Sequence, residues 1–220
     1  MEINDIQEYF PFWDKLDNNQ KLRLYRAADF RKTKKKTLLH GNDSCLGLVL
    51  VKSGQLRIFS YSEEGREFTL YRLFERDICL FSASCMMHDL QMDLMIETEK
   101  DSEYWVINSD VYKSLMDESA PIANYTNSLM ASRFSTVMWL LNEIMFKSMD
   151  RRLASFLSEE TRIEGSMNIK TTHEQIANHL GTAREVVTRT LQYLQGEGVV
   201  ALSRGNIEVI DIDKLEALAE

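Results

Sequence analysis

Three charged side chains near the C-terminus have the types and the spacing needed to read base pairs. Arg184, Glu185 and Arg189 follow Gly181 in the segment TTHEQIANHLGTAREVVTRTLQYLQGEGVV, which spans 171–200. An arginine can donate two hydrogen bonds to guanine O6 and N7, and a glutamate can accept one from the amino group of cytosine. The three residues are therefore candidates for base reading. The same spacing would also suit a solvated helix face on which Glu185 and Arg189 form an i,i+4 ion pair.

Two short helices that meet at a glycine are predicted to position these side chains. Thr172 with Gln175, and Thr182 with Glu185, each match a capping box at a helix start. Gly181 lies between them, where the end of a helix often needs a left-handed residue. The predicted buried faces consist of Ile176, Ala177 and Leu180 in the first helix and Val187, Leu191 and Leu194 in the second. This pattern predicts a helix-turn-helix, whose second helix can lie in the DNA major groove.

Hydroxyl groups and one further arginine are predicted to hold the DNA backbone. The candidates are Thr172, Thr182, Thr188 and Arg204. Arginines and glutamates balance between positions 171 and 206, so we expect few phosphate contacts through cations there. Hydroxyls and helix N-termini can supply the others. The formal net charge of −8 argues against a protein that coats nucleic acid through bulk electrostatics.

A second group with possible chemistry contains Cys79, Cys85 and His88, with Cys45 further away in the sequence. Thiolates and an imidazole could bind zinc, iron or haem, or could form a redox switch. The Cys-x5-Cys spacing differs from that of common metal knuckles, and a cysteine can equally be a small buried hydrophobic residue. Both interpretations stay open, and no metal site is assigned to these residues.

The segments before the helix-turn-helix predict strands and then a long helix. Positions 30–107 are rich in β-branched and aromatic residues with turn residues between them, which predicts an antiparallel barrel or sandwich. Pro121 suits the first turn of a long helix. Apolar residues recur in that helix at spacings of four and three, at Met130, Phe134, Val137, Leu141 and Ile144. This heptad seam predicts a helix that pairs with its own copy, although a core helix of a monomer is the alternative.

Together these patterns predict an α+β protein in three parts. We expect a β-roll sensor domain with short flanking helices over 1–120, a dimerisation helix over 121–147 and a winged helix-turn-helix over 148–220. A hinge is expected near 147–149. The hydrophobic fraction of 44% and charged fraction of 27% are typical of a soluble globular protein. The acidic N-terminus and the absence of a membrane-length apolar run predict a cytoplasmic protein with no membrane partner.

The segment 171–200, followed by ALSRGNIEVID, resembles the Crp–Fnr family of bacterial transcription regulators. The resemblance covers nearly the whole chain and implies a jelly-roll sensor like the cyclic-nucleotide-binding domain. It also implies a homodimer on a palindromic operator and contact with RNA polymerase. It places Arg184, Glu185 and Arg189 on the family's base-reading positions, and the Thr188-Arg189 pair is similar to the Fnr branch. No motif of a cupin-like or other enzyme accompanies it, so no catalytic residue is predicted.

The sensor half departs from the family's cyclic-AMP-binding members. Those members have a Gly-Glu pair and then an Arg-Ser or Arg-Thr pair, whereas this chain has Leu80-Phe81 and Met92-Asp93 near those places. A cyclic phosphate needs a cation or N–H donors, so cyclic AMP is not the expected effector. No cysteine precedes Cys45, so the N-terminal iron–sulfur cluster of the Fnr branch is not expected either. The effector stays unidentified, with a cyclic-nucleotide-responsive regulator and a metal or redox sensor as alternatives.

Overall fold

A computed structural model describes residues 4–40, 46–86 and 94–220 of the chain. It contains two compact units, Met1–Ser60 with Leu70–Val137, and Tyr61–Thr69 with Met138–Glu220. The helices are α1 (Asn4–Gln7), α2 (Asn18–Ala27), α3 (Ser109–Glu118), α4 (Ala120–Phe146), α5 (Met149–Glu164), α6 (His173–Leu180), α7 (Arg184–Gly196) and α8 (Ile212–Ala219). The strands are β1 (Ala28–Thr33), β2 (Leu38–His40), β3 (Leu48–Ser53), β4 (Leu56–Tyr61), β5 (Glu67–Leu73), β6 (Ile78–Cys79), β7 (Met95–Thr98), β8 (Ser102–Ile107), β9 (Asn168–Ile169), β10 (Val200–Ser203) and β11 (Asn206–Val209).

The N-terminal unit is built on a pair of four-stranded sheets, ordered β1-β8-β3-β6 and β2-β7-β4-β5. Strand β3 shows why the sheets stack, because successive side chains of a strand point to opposite faces. Leu48 and Leu50 enter one core with Trp105, whereas Val49 and Val51 enter another between strands of both sheets. A strand that is apolar on both faces must be covered on both faces. The predicted β-roll is confirmed.

The C-terminal unit packs α5 to α8 against the antiparallel sheet β10-β11-β9. The wing hairpin pairs Val200 with Val209 and Ser203 with Asn206. Helix α7 contributes Val187, Leu191 and Leu194 to the core, as its spacing of four and three predicts. The predicted winged helix-turn-helix is confirmed.

The two predicted capping boxes have different outcomes. Thr172 and Gln175 form the reciprocal box at the start of α6. The box of Thr182 with Glu185 was wrong, because the N-cap of α7 is Ala183, which makes no side-chain cap. The Thr182 N–H instead donates to the Ala177 carbonyl at 3.0 Å and closes the end of α6. Thr182 therefore belongs to the left-handed turn that follows Gly181 and ends α6. Helix α7 begins one residue later than predicted.

Helix α4 begins one residue before Pro121 and ends at Phe146. Ser148 is then the N-cap of α5. The break between the two helices therefore falls at 147–148, within the segment where the sequence predicts a hinge. Whether the chain bends there stays a prediction.

Candidate nucleic-acid interface

The three predicted base-reading side chains project from one exposed side of α7. Arg184, Glu185 and Arg189 are exposed, whereas Val187 and Leu191 on the same helix are completely buried. Because the apolar residues fix the rotation of the helix, the charged residues must point away from the core. The structure thus gathers the predicted reading residues on one accessible surface.

The base-reading candidates are not engaged with each other. In the part of the chain that the structure describes, no ion pair or side-chain hydrogen bond occupies Arg184, Glu185 or Arg189. The i,i+4 ion pair between Glu185 and Arg189, which the alternative interpretation predicts, is not formed. Their polar groups are therefore available to base edges or phosphates.

Thr188, one of the predicted backbone contacts, is held by a residue that the sequence did not single out. Its hydroxyl donates to the Arg184 carbonyl at 2.9 Å and lies 2.8 Å from His173 Nδ1. The Thr188 hydroxyl donates its one hydrogen to the Arg184 carbonyl. His173 Nδ1 must therefore carry the hydrogen of the bond between the imidazole and the hydroxyl. His173 therefore joins the first turn of α6 to α7. A lone histidine at a helix start gave no signal of this contact.

The other predicted backbone contacts are differently placed. Thr172 is exposed, and its hydroxyl accepts from the Gln175 N–H at 3.2 Å. Thr182 is half-buried in the turn. Arg204 is exposed between the wing strands β10 and β11. Thr172 and Thr182 precede α7 in the chain and Arg204 follows it, and their contacts with a DNA backbone stay predictions.

Arg152 of α5 is a second residue that the sequence analysis missed. Its guanidinium donates to the Leu180 carbonyl at 2.5 Å and so stabilises the C-terminal end of α6. Burial lowers the pKa of Arg152, but an arginine keeps its charge at neutral pH. The contact joins residues 28 positions apart, which no local pattern could have revealed.

The candidate sensor residues are only partly described. Cys45, His88 and the side chain of Cys85 lie outside what the structure describes. Cys79 is completely buried and free, and burial raises the pKa of its thiol. Among the described residues, no three histidine, cysteine, aspartate or glutamate side chains converge as metal ligands would. Cys79 is thus held as a protonated thiol, which is a poor nucleophile and a poor metal ligand.

Polar side chains meet inside the roll close to Cys79. The Arg133 guanidinium of α4 lies 4.8 Å from the centre of the Tyr71 ring and 3.8 Å from an Asp77 carboxylate oxygen. Burial raises the pKa of Tyr71, with the Cys79 thiol as the next contribution. Within the described residues, Arg133 Nε is buried without a hydrogen-bond partner. A partly buried cation of α4 therefore packs against the roll with one N–H group that makes no hydrogen bond to the described residues.

The place of the family's Gly-Glu pair is apolar in this structure. Leu80 and Phe81 are both buried there. Met92 and Asp93, near the second pair, lie outside the described residues. Neither side chain can accept a hydrogen bond from a ribose hydroxyl, as the family's glutamate can.

Helix α4 carries an apolar row that is exposed in a single chain. Within the predicted seam, Met130 and Val137 are half-buried, whereas the other members are exposed. The exposed apolar side chains of the helix are Phe134 at 67%, Met138 at 47%, Trp139 at 59%, Leu141 at 45%, Ile144 at 38%, Met145 at 72% and Phe146 at 75%. No helix in the described ranges has the length and hydropathy that crossing a bilayer requires.

Comparison with known proteins agrees with this geometry. The family model of the Crp-like helix-turn-helix domain matches residues 151–218, and that of the cyclic nucleotide-binding domain matches residues 31–119. A crystal structure described as a transcriptional regulator of the crp/fnr family from Eubacterium rectale is 55% identical, with a TM-score of 0.94, over 96% of this chain and 99% of the other. The cyclic AMP receptor protein of Thermus thermophilus is 28% identical over 84% of each chain. The c-di-GMP-responsive regulator CLP of Xanthomonas campestris, 16% identical, shares the fold with a TM-score of 0.75 over 89% of this chain and 100% of the other.

Proposed function

Because the chain belongs to the Crp–Fnr family of transcription regulators, we propose that it binds a specific palindromic operator as a homodimer. The observation that carries the proposal is the exposed and unengaged set Arg184, Glu185 and Arg189 on α7, the second helix of the helix-turn-helix. The two arginines would read guanine and the glutamate would read cytosine. Thr172, Thr182, Thr188 and Arg204 would contact the backbone. The protein would act in the cytoplasm and contact RNA polymerase there, as family membership suggests.

The base-reading proposal is tested by replacing Arg189 with alanine. An operator is first selected by the wild-type protein from a pool of random duplexes. We expect Arg189→Ala to weaken binding to that operator by about 1–3 kcal/mol, the cost of losing a bidentate contact to guanine. Binding to a scrambled duplex should change little. Fluorescence anisotropy with both duplexes measures the difference.

Arg151→Ala is the matched control, since it removes an exposed arginine from α5 in the same unit. It should leave operator specificity intact. Equal losses on operator and scrambled duplex for Arg189→Ala would contradict base reading and indicate a phosphate contact instead.

The homodimer proposal rests on the exposed row of α4. Phe134, Leu141 and Ile144 belong to the predicted seam and are exposed to solvent. Met138 follows Phe134 by four residues, and Met145 follows Leu141 by four residues, so both continue the row. An apolar row of this length on a helix suits pairing with the same helix of a second copy.

Dimerisation is tested by sedimentation velocity on two charge variants. Phe134→Asp places a carboxylate on the proposed seam, and we expect a shift towards monomer because burying an unpaired charge is unfavourable. Ser132→Asp adds the same charge on nearly the opposite side of α4, where Ser132 is exposed. It should sediment as wild type. A wild-type monomer at working concentration would refute the homodimer.

The signal for the β-roll is proposed to be an effector other than cyclic AMP. The family match to a cyclic nucleotide-binding domain favours a cyclic nucleotide as the alternative. Leu80 and Phe81, which are buried and apolar, argue against a ribose at the first position. We expect no change in thermal midpoint when cyclic AMP is added, and saturable stabilisation would instead support the cyclic-nucleotide alternative. A metal or redox signal that acts on Cys79 would require this buried thiol to become accessible.

A further inference from the structure

A hairpin that precedes the helix-turn-helix by about a hundred residues contacts its turn. The segment Tyr61–Thr69 groups with the C-terminal unit, although Leu56–Ser60 and Leu70–Leu73 group with the N-terminal unit. We call Tyr61–Thr69 the hairpin tip. It reverses direction where the Ser62 N–H donates to the Arg66 carbonyl at 2.8 Å. The sequence predicts turns between these strands but gave no reason for one of them to contact the helix-turn-helix.

Two neighbouring residues of the tip hold the end of α6. The Thr69 hydroxyl lies 2.9 Å from His179 Nδ1, and the His179 ring packs 5.4 Å from the centre of the Phe156 ring. The Phe68 ring covers Gly181 so closely that a Cβ at position 181 would lie 2.6 Å from Phe68 Cδ2. Gly181 has a φ of +64°, a left-handed conformation that glycine adopts without strain. The glycine thus serves the turn and also makes room for the tip.

The tip is acidic. Its charged residues are Glu63, Glu64 and Glu67 against Arg66, so its formal charge is 1 − 3 = −2. Glu63 and Glu64 are exposed. At about 3.3 Å per residue the apex lies about 10 Å beyond Phe68, which is about one Debye length at physiological ionic strength. A negative charge docked on the turn before α7 would therefore repel the phosphates that approach α7.

We propose that the hairpin tip is an autoinhibitory element, which lowers the affinity for DNA while Phe68 and Thr69 are docked on the turn. The inference rests on the DNA binding proposed above. Undocking would move the negative charge away from the turn before α7 without altering Arg184, Glu185 or Arg189. Strand β5 continues from the tip to Tyr71, which packs against Arg133 inside the roll. A change in the roll could therefore reach the turn through a single strand.

Three variants test the inference by anisotropy at low salt, with the selected operator and a scrambled duplex as probes. Glu63→Gln with Glu64→Gln should bind both duplexes about 3- to 10-fold more tightly, because like charges near phosphates are removed. Phe68→Ala with Thr69→Val should tighten binding by a similar factor. The quadruple variant should bind no more tightly than Phe68→Ala with Thr69→Val, since the charge acts only when it is docked. All gains should shrink as salt increases.

Two controls and a rescue separate docking from net charge and from misfolding. Glu75→Gln with Glu159→Gln removes two exposed acids outside the tip and should leave the affinity nearly unchanged. Thr69→Ser, the conservative counterpart of Thr69→Val, keeps the hydroxyl and the Phe68 ring and should bind with wild-type affinity, and circular dichroism melts check that each variant is folded. Equal tightening by Glu63→Gln with Glu64→Gln in docked and undocked backgrounds would overturn autoinhibition. Weaker binding by Phe68→Ala with Thr69→Val would overturn it as well.

The two proposals fail in different ways. If the undocked variant binds DNA more tightly than the wild type, autoinhibition is supported. If both bind with equal affinity, autoinhibition is wrong and the proposed function stands. If neither binds any duplex, the proposed function is wrong and the autoinhibition falls with it.

Discussion

Cys79 of the β-roll and Arg189 of α7 lie at opposite extremes of solvent exposure. Cys79 is completely buried between the sheets, with a thiol whose pKa is raised by burial. Arg189 is exposed, and no described side chain pairs with it. The C-terminal unit therefore displays its candidate DNA-reading side chains on a small apolar core, whereas the described part of the N-terminal unit encloses the candidate sensor thiol of Cys79. A surface contact can read DNA directly, but an enclosed group can act only when the structure around it changes.

The two units also differ in how far apart their interacting residues lie in the sequence. The reading residues and the core residues that orient them all belong to one helix of 13 residues. In the roll, by contrast, Tyr71, Cys79 and Arg133 come from two strands and a distant helix. Local patterns therefore describe the first site well and the second site poorly.

The largest expected effect concerns the accessibility of Cys79. In a Cys45→Ser, Cys85→Ser variant, Cys79 is the remaining cysteine of the chain's three. A thiol reagent should label it at least about 10³-fold more slowly in the native protein than in urea, because labelling requires the roll to open. A spectrophotometric assay of thiol release measures both rates. Rapid labelling of Cys79 in the native protein would contradict the difference in exposure between the two units and would favour the redox-sensor interpretation.

A smaller effect is expected from the core of the reading unit. Leu191→Ala should lower the free energy of unfolding by about 2–5 kcal/mol, since it removes a completely buried side chain beneath the reading face. Gln192→Ala, at an exposed position of the same helix, should change it by less than about 0.5 kcal/mol. Urea unfolding followed by circular dichroism gives both values. Similar losses for both variants would mean that α7 is not oriented as described.

The smallest effect distinguishes the real helix cap from the one that was wrongly predicted. Thr172→Ala should cost about 1 kcal/mol, because Thr172 forms the capping box of α6. Thr182→Ala should cost less, since its side chain caps no helix. Thermal melts of the two variants sharpen the comparison of the two helix starts. A larger loss for Thr182→Ala would show that its hydroxyl stabilises α7 after all.

Particular residues show how much of this protein could be predicted from the sequence. The spacing of Val187, Leu191 and Leu194 was sufficient to predict which side of α7 is buried, and hence that Arg184 and Arg189 are exposed. The capping box at Thr172 was likewise predicted correctly. The box at Thr182 was not, because the pattern cannot tell whether a backbone N–H at a turn belongs to the helix before it or after it.

Contacts between residues far apart in the sequence were beyond prediction from a single chain. His173 with Thr188, Arg152 with Leu180 and Thr69 with His179 join polar groups 15, 28 and 110 positions apart. None of these pairs has a periodicity or a motif, since each depends on how separate elements pack.

By itself the sequence determined the β-roll, the long helix and the winged helix-turn-helix, because apolar periodicity and turn residues specify local structure and its buried face. It also determined which side of α7 carries the candidate reading residues Arg184 and Arg189. Only the tertiary structure decided that Cys79 is completely buried, that Arg133 packs against Tyr71, and that the acidic hairpin tip contacts Gly181. Those facts depend on which distant surfaces meet, and that is set by the packing of the whole fold and not by any one segment.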